Sequence, residues 1–417
     1  MRSVDIPELL RSPQFTTVSC ENCSTVHILM IAPEPFFEPR GTPFSEYHRI
    51  RAMTALGHQI DLVTYPFGTD VTMPGLRVFR CLRPPFVHRV RIGPSLAKLP
   101  LDFFLTLTAI RRACSTRYDA VHSHEEGGLI AVVLATLLRV PHLYDMHSSL
   151  PQQLTNFAFS RSPAVRRVFL AIERLMIRRS RVVIAICPAL VDTIQTIDPG
   201  AETILIENAP GSAEDAATPE EARTIRQSLG LDAATPVVLY TGTFEAYQGL
   251  DLLFDAMARV RRERPDARLV LAGGKPDQVA RARDAAAAAG IGDATIFAGE
   301  QPASRIPAYL LAADVLVSPR SRGTNTPLKI YQYLRSGRPI VATRLLTHTQ
   351  VLDDDTSILT GAAPAEFAQG ILVALGDTAR AAALGGRARH LAETKYSYEA
   401  YLERTRQACD ALFKDVA

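Results

Sequence analysis

Short apolar runs recur along this chain with helical patterns between them, and that alternation constrains its fold more than any other feature. In the first half the runs are Val26–Ala32, Gln59–Tyr65, Ala120–His124, His142–Met146 and Val182–Cys187. In the second half they are Pro236–Thr241, Arg268–Ala272, Thr295–Ala298, Val315–Ser318 and Pro339–Thr343. Strands that are apolar throughout are covered on both faces, and a helix between consecutive strands makes them parallel. The fold class expected is α/β, with two Rossmann-like domains. At 417 residues the chain exceeds what one core usually holds, and a shift to Gly, Ser, Ala, Asp and Pro marks a linker at 209–218. The expected order is an N-terminal extension 1–24, a first domain 25–208, the linker, and a second domain 219–395. Open parallel sheets bind ligands beyond the carboxyl ends of their strands, so two facing sheets predict one cleft with two binding walls.

Composition narrows the class. The apolar fraction of 47% and charged fraction of 21% are those of a globular protein that buries full cores. A formal charge of +3, without an RNA or DNA module, argues against nucleic acid as partner. Six scattered cysteines suggest a reducing compartment rather than a disulfide framework. Cys20 and Cys23 have CxxC spacing, but no second pair or nearby His completes a zinc site. The first two dozen residues lack the apolar core of a signal peptide, and no apolar stretch reaches the ~20 residues that span a bilayer. The stretch Gly128 to Leu138 reads as a buried helix. A cytoplasmic protein, at most resting on the inner face of a membrane, is expected.

The segment from Ser318 to Thr343 carries the chemistry. After the strand Val315–Ser318 comes a loop rich in Gly, Asn, Thr and Pro, then a helix expected to open near Pro327 and to end at Gly337. Backbone N–H groups in such a loop, the positive end of the helix and Lys329 one turn in would form an anion site. Alone, this is equally the geometry of any strand-loop-helix corner.

This segment resembles the donor-binding motif of glycosyltransferase family 4, retaining enzymes of the GT-B fold, and the similarity runs from about Val26 to the C-terminus. Most members carry a Glu at each end of a nine-residue stretch; here those ends are Thr324 and Gln332. The resemblance implies that a nucleotide-diphosphate sugar is the co-substrate and that Gly242 lies in a phosphate-binding turn after Val237–Thr241. The family's basic pair in that turn is replaced by Thr243 and Gln248. Without a bound metal, the leaving diphosphate then depends on Lys329, on backbone N–H groups around Asn325, Thr326, Pro327 and Leu328, and on help from Arg320 or Arg322. Gln332 stands where the family's ribose-binding Glu sits, and the loop at Gly299 meets the base. No cofactor is implied.

On the acceptor wall, the loop Ala32–Pro43, with a helix expected from Phe44, places Gly41 and Thr42 over donor phosphate and acceptor. His147 matches the family histidine that contacts the transferred sugar, and His124, Glu125 and Asp145 would bind acceptor or order that histidine. Polar residues capping the next helices would look the same. His122 and His124, two apart on a strand, lack a third ligand of matching spacing, so no metal site is expected. No carboxylate pair has the spacing of a two-carboxylate retaining site. The family is thought to react on one face, the donor phosphate oxygen taking the acceptor proton. The resemblance also assigns 396–417 to a helix that crosses back to the first domain.

The reading is a metal-independent, retaining glycosyltransferase acting on a glycolipid, polysaccharide precursor or small molecule, in cell-envelope or polysaccharide biosynthesis. Alternatives are another GT-B catalyst such as a nucleotide-sugar 2-epimerase, or a non-catalytic GT-B binding subunit. Between Pro163 and Arg179, Val165, Val168, Phe169, Ile172, Leu175 and Met176 share one helical face, with arginines on the others. A second basic and apolar stretch runs from Phe86 to Leu105. A core-facing helix with a solvated arginine face explains the first; the alternative is peripheral attachment to anionic lipid.

Overall fold

The computed structural model describes residues 25–38, 41–88, 90, 98–152, 162–207 and 217–414. The N-terminal extension with Cys20 and Cys23, and 209–216 of the expected linker, lie outside them. The described residues form two compact units, one running to 207 and resuming at Glu399, the other from 217 to Tyr398.

In the N-terminal unit β1 (His27–Ala32) leads through α1 (Gly41–Ala55) to β2 (Gln59–Thr64) and β3 (Leu76–Arg80). Helix α2 (Lys98–Ser115) brings the chain to β4 (Ala120–His124), and α3 (Gly127–Leu138) leads on to β5 (His142–Met146). Helix α4 (Pro163–Arg179), β6 (Val182–Ala185), α5 (Pro188–Ile197) and β7 (Thr203–Leu205) complete it. All seven strands are parallel in the order β3-β2-β1-β4-β5-β6-β7, so the winding reverses between β1 and β4. Right-handed crossovers put α1 on one face and α2, α3 and α4 side by side on the other. Two glycines let α3 start close to its neighbours: a Cβ on Gly127 would lie 2.9 Å from the Ile31 carbonyl oxygen, and one on Gly128 2.6 Å from Met176 Sδ.

The C-terminal unit opens with α6 (Pro219–Ser228), capped by a reciprocal pair of bonds between Thr218 and Glu221. Then follow β8 (Val237–Thr241), α7 (Leu250–Glu263), β9 (Arg268–Ala272), α8 (Pro276–Ala288), β10 (Thr295–Gly299), α9 (Ile306–Ala312) and β11 (Val315–Ser318). Next come α10 (Lys329–Ser336), β12 (Ile340–Thr343), α11 (Leu346–Thr349), β13 (Ile358–Thr360), α12 (Pro364–Gly376) and α13 (Thr378–Thr394). This sheet is also parallel, in the order β10-β9-β8-β11-β12-β13, and reverses between β8 and β11. Alternate strand residues feed two cores: Val237 and Leu239 pack on one face, Val238 and Tyr240 on the other. The last helix, α14 (Tyr398–Phe413), returns to the N-terminal unit, where Arg49 of α1 donates to Thr405 Oγ1 at 3.2 Å.

Some expectations shift. Gly41 and Thr42 open α1 rather than sitting in a loop before Phe44. Helix α10 starts at Lys329, so that residue is its first and not one turn in. Helix α3 is not buried all round: Leu129, Val133 and Leu137 are exposed. In α4, Val168, Leu170 and Leu175 are exposed, while Glu173 turns inward and accepts from Leu150 N at 2.6 Å. Among the described residues, no helix is long and apolar enough to cross a membrane.

Candidate active site

Two clusters of polar side chains form at carboxyl strand ends, one in each unit, and each sits where the winding of its sheet reverses. In the C-terminal unit, β8 runs into Gly242 (φ 128°) and β11 into the segment 319–328. These two turns touch. A Cβ on Gly249 (φ 75°) would lie 2.0 Å from the Pro319 carbonyl oxygen, so only glycine permits the approach, and Ser321 N donates to Tyr247 O at 3.0 Å. Beneath them His348 clamps the loop: Ser318 Oγ lies 2.8 Å from its Nε2, and its Nδ1 is 2.7 Å from Thr343 O. Burial holds this imidazole at a pKa of about 4, so it is a neutral structural group at pH 7.

Lys329 stands in the middle of this corner. It is 8% exposed, its Nζ sits 3.7 Å from the centre of the Tyr240 ring, and it donates to Gln248 Oε1 at 3.5 Å. Gly242 is beside it, since a Cβ there would be 3.8 Å from Nζ. Arg320 donates to Asn325 O at 2.8 Å and Thr347 Oγ1 at 3.0 Å, and lies over the Tyr247 ring. Among the described residues, neither cation is in an ion pair with a carboxylate. Burial, and then the neighbouring Arg320, push the Lys329 ammonium well below its ordinary pKa. A buried ammonium beside a half-buried guanidinium, neither paired with a carboxylate among the described residues, suits an anion. Asn325 and Thr326 line the same loop, Thr326 with a buried hydroxyl that has no hydrogen-bond partner among the described residues. Gln248 is buried against Lys329, Thr243 O accepts from Tyr240 Oη at 2.7 Å, and Gln332 is half-buried on α10. Gly299 (φ 67°) ends β10 and its carbonyl accepts from Gly273 N at 2.7 Å. Pro327 and Leu328 precede α10, and the Ile330 N–H bonds back to Pro327 O.

The N-terminal unit holds a denser cluster. Asp145, at the end of β5 and fully buried, accepts from Arg49 Nε at 2.8 Å and lies 3.2 Å from His147 Nε2. His124 Nδ1 is also 3.2 Å from His147 Nε2, and His122 stacks on His124 with ring centres 4.8 Å apart. Burial alone would raise the Asp145 pKa, but Arg49 and His147 override it and hold the carboxylate well below its usual range. The same pairing raises the His147 pKa although burial opposes it. His122 and His124 are pushed down by burial and stay neutral.

Besides Asp145, Glu34 and Glu125 act on His147 from neighbouring strand ends, and Glu46 lies beside Glu34 and Asp145. Glu34 follows β1, Glu46 reaches in from α1, and Glu125 follows β4 in a left-handed conformation (φ 46°). Burial, and then each other's proximity, raise the pKa of Glu34, and burial raises that of Glu46. Burial also lifts Glu125 to about 7, and Ser148 Oγ donates to its carboxylate at 3.0 Å. Glu34, Glu46 and Arg49 were not singled out from the sequence. Their signal was helical spacing: Glu46 and Arg49 are three apart on α1, one face of which meets the ends of β1 and β5. Gly41 and Thr42 open the same helix, but no side-chain contact ties them to His147 among the described residues.

The third ligand that spacing did not reveal is Asp145: ligand atoms of His122, His124 and Asp145 lie within 4.8 Å of one another. A metal there would share its carboxylate with the Arg49 guanidinium, an arrangement electrostatics disfavours. These residues fit a proton-handling and positioning cluster better than a metal cage.

Comparison with known proteins agrees with this division. Residues 47–209 match the family described as glycosyl transferase 4-like domain, and 235–377 match glycosyl transferases group 1. The 2-deoxystreptamine N-acetyl-D-glucosaminyltransferase of Streptomyces fradiae is 31% identical over 60% of this chain and 61% of its own length. A D-inositol 3-phosphate glycosyltransferase of Acidothermus cellulolyticus is 29% identical over 70% of this chain and 68% of its own. The chain thus spans about two thirds or less of these relatives' length. The fold is also that of sucrose-phosphate synthase from Thermosynechococcus elongatus, with a TM-score of 0.75 at 21% identity over 93% of this chain and 99% of that one. It is likewise that of Anabaena HepE in complex with UDP-glucose, with a TM-score of 0.71 at 18% identity over 93% of this chain and 100% of that one. With two parallel Rossmann-like sheets, and both halves matching, the chain belongs to the group 1, family-4-like glycosyltransferases of the GT-B fold.

Proposed function

We propose that this chain transfers a sugar, with retention, from a nucleotide-diphosphate sugar to a hydroxyl acceptor, and that it does so without a metal ion. The observation that carries the reading is the buried Lys329 beside the half-buried Arg320 at the switch point of the second sheet, neither ion-paired with an acid among the described residues. A diphosphate supplies the missing charge. As the glycosidic bond breaks, negative charge grows on the leaving phosphate, and a preorganised ammonium beside the Gly242 turn stabilises that state more than the ground state. Thr243 and Gln248 leave Lys329 with a larger share of this work.

His147 orients the transferred sugar. Asp145 fixes its ring, and Arg49 fixes Asp145. Glu125, with a pKa of about 7, is suited to accept a hydrogen bond from the acceptor hydroxyl. The relatives' names include a cationic aminocyclitol acceptor and a phosphorylated cyclitol. Among the described residues, the cations beside His147 and Glu125 are engaged, Arg49 with Asp145 and Lys98 with Glu126 at 2.6 Å. That favours a neutral or amine-bearing polyol over a phosphate ester as acceptor.

The test supplies UDP-, ADP- and GDP-glucose and N-acetylglucosamine donors with 2-deoxystreptamine or inositol 3-phosphate, and follows products by NMR. Transfer with the donor's anomeric configuration kept, to the amine acceptor before the phosphate, is expected. An inverted product, a 2-epimerised nucleotide sugar, or no turnover with any donor would each reject the reading.

A further inference from the structure

Helices α2, α3 and α4 lie side by side over one face of the seven-stranded sheet, and what they show outward is unusual for a solvated surface. On α2, Leu99 (63% exposed), Phe103 (60%), Leu107 and Ile110 follow one another at spacings of four, four and three. This is one unbroken apolar stripe. On α3 the exposed large side chains are Leu129, Val133 and Leu137 (73% exposed), and the helix carries no charged residue. Between the two stripes lies a shallow groove lined by Thr106, Ile110, Leu129 and Val133.

Beside this strip the surface turns basic. The exposed residues of α4 include Arg166, Arg167, Arg174, Arg178 and Arg179, and its only acid, Glu173, is buried. No exposed position on any of the three helices is an Asp or a Glu. Monomeric proteins rarely leave contiguous apolar strips of this length in water. At ~1.5 Å per residue the stripes run roughly 17 Å on α2, from Leu99 to Ile110, and roughly 12 Å on α3, from Leu129 to Leu137.

We propose that this face is a docking surface for an anionic lipid bilayer, the α2 and α3 stripes entering the headgroup boundary and the α4 arginines pairing with lipid phosphates. Charge decides the occupant. A second copy meeting this face about a two-fold axis would bring arginine rims together without an intervening acid, whereas anionic headgroups complement them. Placement fits as well. Lys98, which opens α2 directly before Leu99, is paired with Glu126, the neighbour of Glu125. The apolar strip therefore starts within a turn of the acceptor-side cluster; that last link rests on the proposed function, but the surface does not.

The test is cosedimentation of the full chain with vesicles of phosphatidylcholine, alone or mixed with phosphatidylglycerol, at low and high salt. Binding to the mixed vesicles is expected, with little to neutral ones. It should weaken on the order of 100-fold in Arg167→Gln/Arg174→Gln/Arg178→Gln, each arginine contributing ~1 kcal/mol, and comparably in Phe103→Ser/Leu137→Ser. These positions are exposed, so unfolding is not expected, and circular dichroism of each variant checks it. No binding by the wild type, equal binding to neutral vesicles, or self-association abolished by Phe103→Ser/Leu137→Ser would overturn the proposal. Sugar transfer is not read out, so its failure is a separate result.

Discussion

Replacing Lys329 by Met separates function from stability, because the two should move in opposite directions. Lys329 is 8% exposed; its ammonium has the Tyr240 ring and Gln248 Oε1 beside it, is repelled by Arg320, and is in no ion pair with a carboxylate among the described residues. Removing one preorganised charge from a developing oxyanion typically raises the barrier by ~2.7–4 kcal/mol, so kcat should fall roughly 100- to 1,000-fold. Met nearly conserves the volume, and exchanging a buried unpaired charge for an apolar group commonly stabilises by ~1–2 kcal/mol. For a unit of this size that raises Tm by roughly 3–6 °C without ligand. The pH dependence has a definite sign. The lysine's folded pKa is depressed, so the unfolded chain binds the extra proton between that value and the ordinary 10.5. Wild-type destabilisation is therefore full below the folded pKa and relieved as pH rises towards 10.5, and the Tm gap to Lys329→Met should close over that range. The assays are turnover of a nucleotide sugar and differential scanning calorimetry across pH. A variant within about 5-fold of wild type in kcat, or one less stable than wild type at pH 7, refutes the reasoning.

His147→Ala should lower kcat by at least ~100-fold while nucleoside diphosphate affinity, measured by calorimetry, changes under ~3-fold; an equal collapse of both would unseat its assignment to the sugar. Because the His147 pKa is raised in the fold, the stability it gains from Asp145 is full below about 6.5 and lost as pH rises through the folded value. The urea midpoints of wild type and His147→Ala should accordingly converge at alkaline pH. Arg49→Met leaves the Asp145 carboxylate buried without its guanidinium, and urea titration should show a loss of ~3–5 kcal/mol; less than ~1 would mean the ion pair is dispensable. Glu125→Gln should remove the limb of the pH–rate profile near pH 7 and weaken acceptor use more than donor use, whereas an unchanged profile would take Glu125 out of the reaction.

The central strands were legible because they are buried on both faces and read as unbroken apolar runs: Ala120–His124, His142–Met146, Arg268–Ala272 and Val315–Ser318 appear with the bounds expected. The edge strands β3, β7 and β13 were not. Their residues are mostly only partly buried, and a strand such as Leu76–Arg80 alternates Arg with apolar residues as a loop might. In the second unit, the loop around Lys329 was legible because its residues are contiguous in sequence. The cluster around His147 was legible only in part. It draws on Glu34, Glu46, Arg49, Glu125 and Asp145 from three strand ends and one helix, and sequence spacing does not encode contacts between separate elements. The exposed apolar face of α3 was read as buried for a related reason. An apolar helix looks the same in sequence whether its outer side is covered or bare.

The central claim is that the chain stabilises a nucleoside diphosphate leaving group with its own cations. Release of nucleoside diphosphate from a nucleotide sugar, followed by NMR in excess EDTA and again with Mg²⁺ or Mn²⁺, tests it most directly. The account predicts release at the same rate in both, with the donor's anomeric configuration kept in the sugar product. Abolition in EDTA with rescue by either metal would contradict it and turn attention to His122, His124 and Asp145 as ligands.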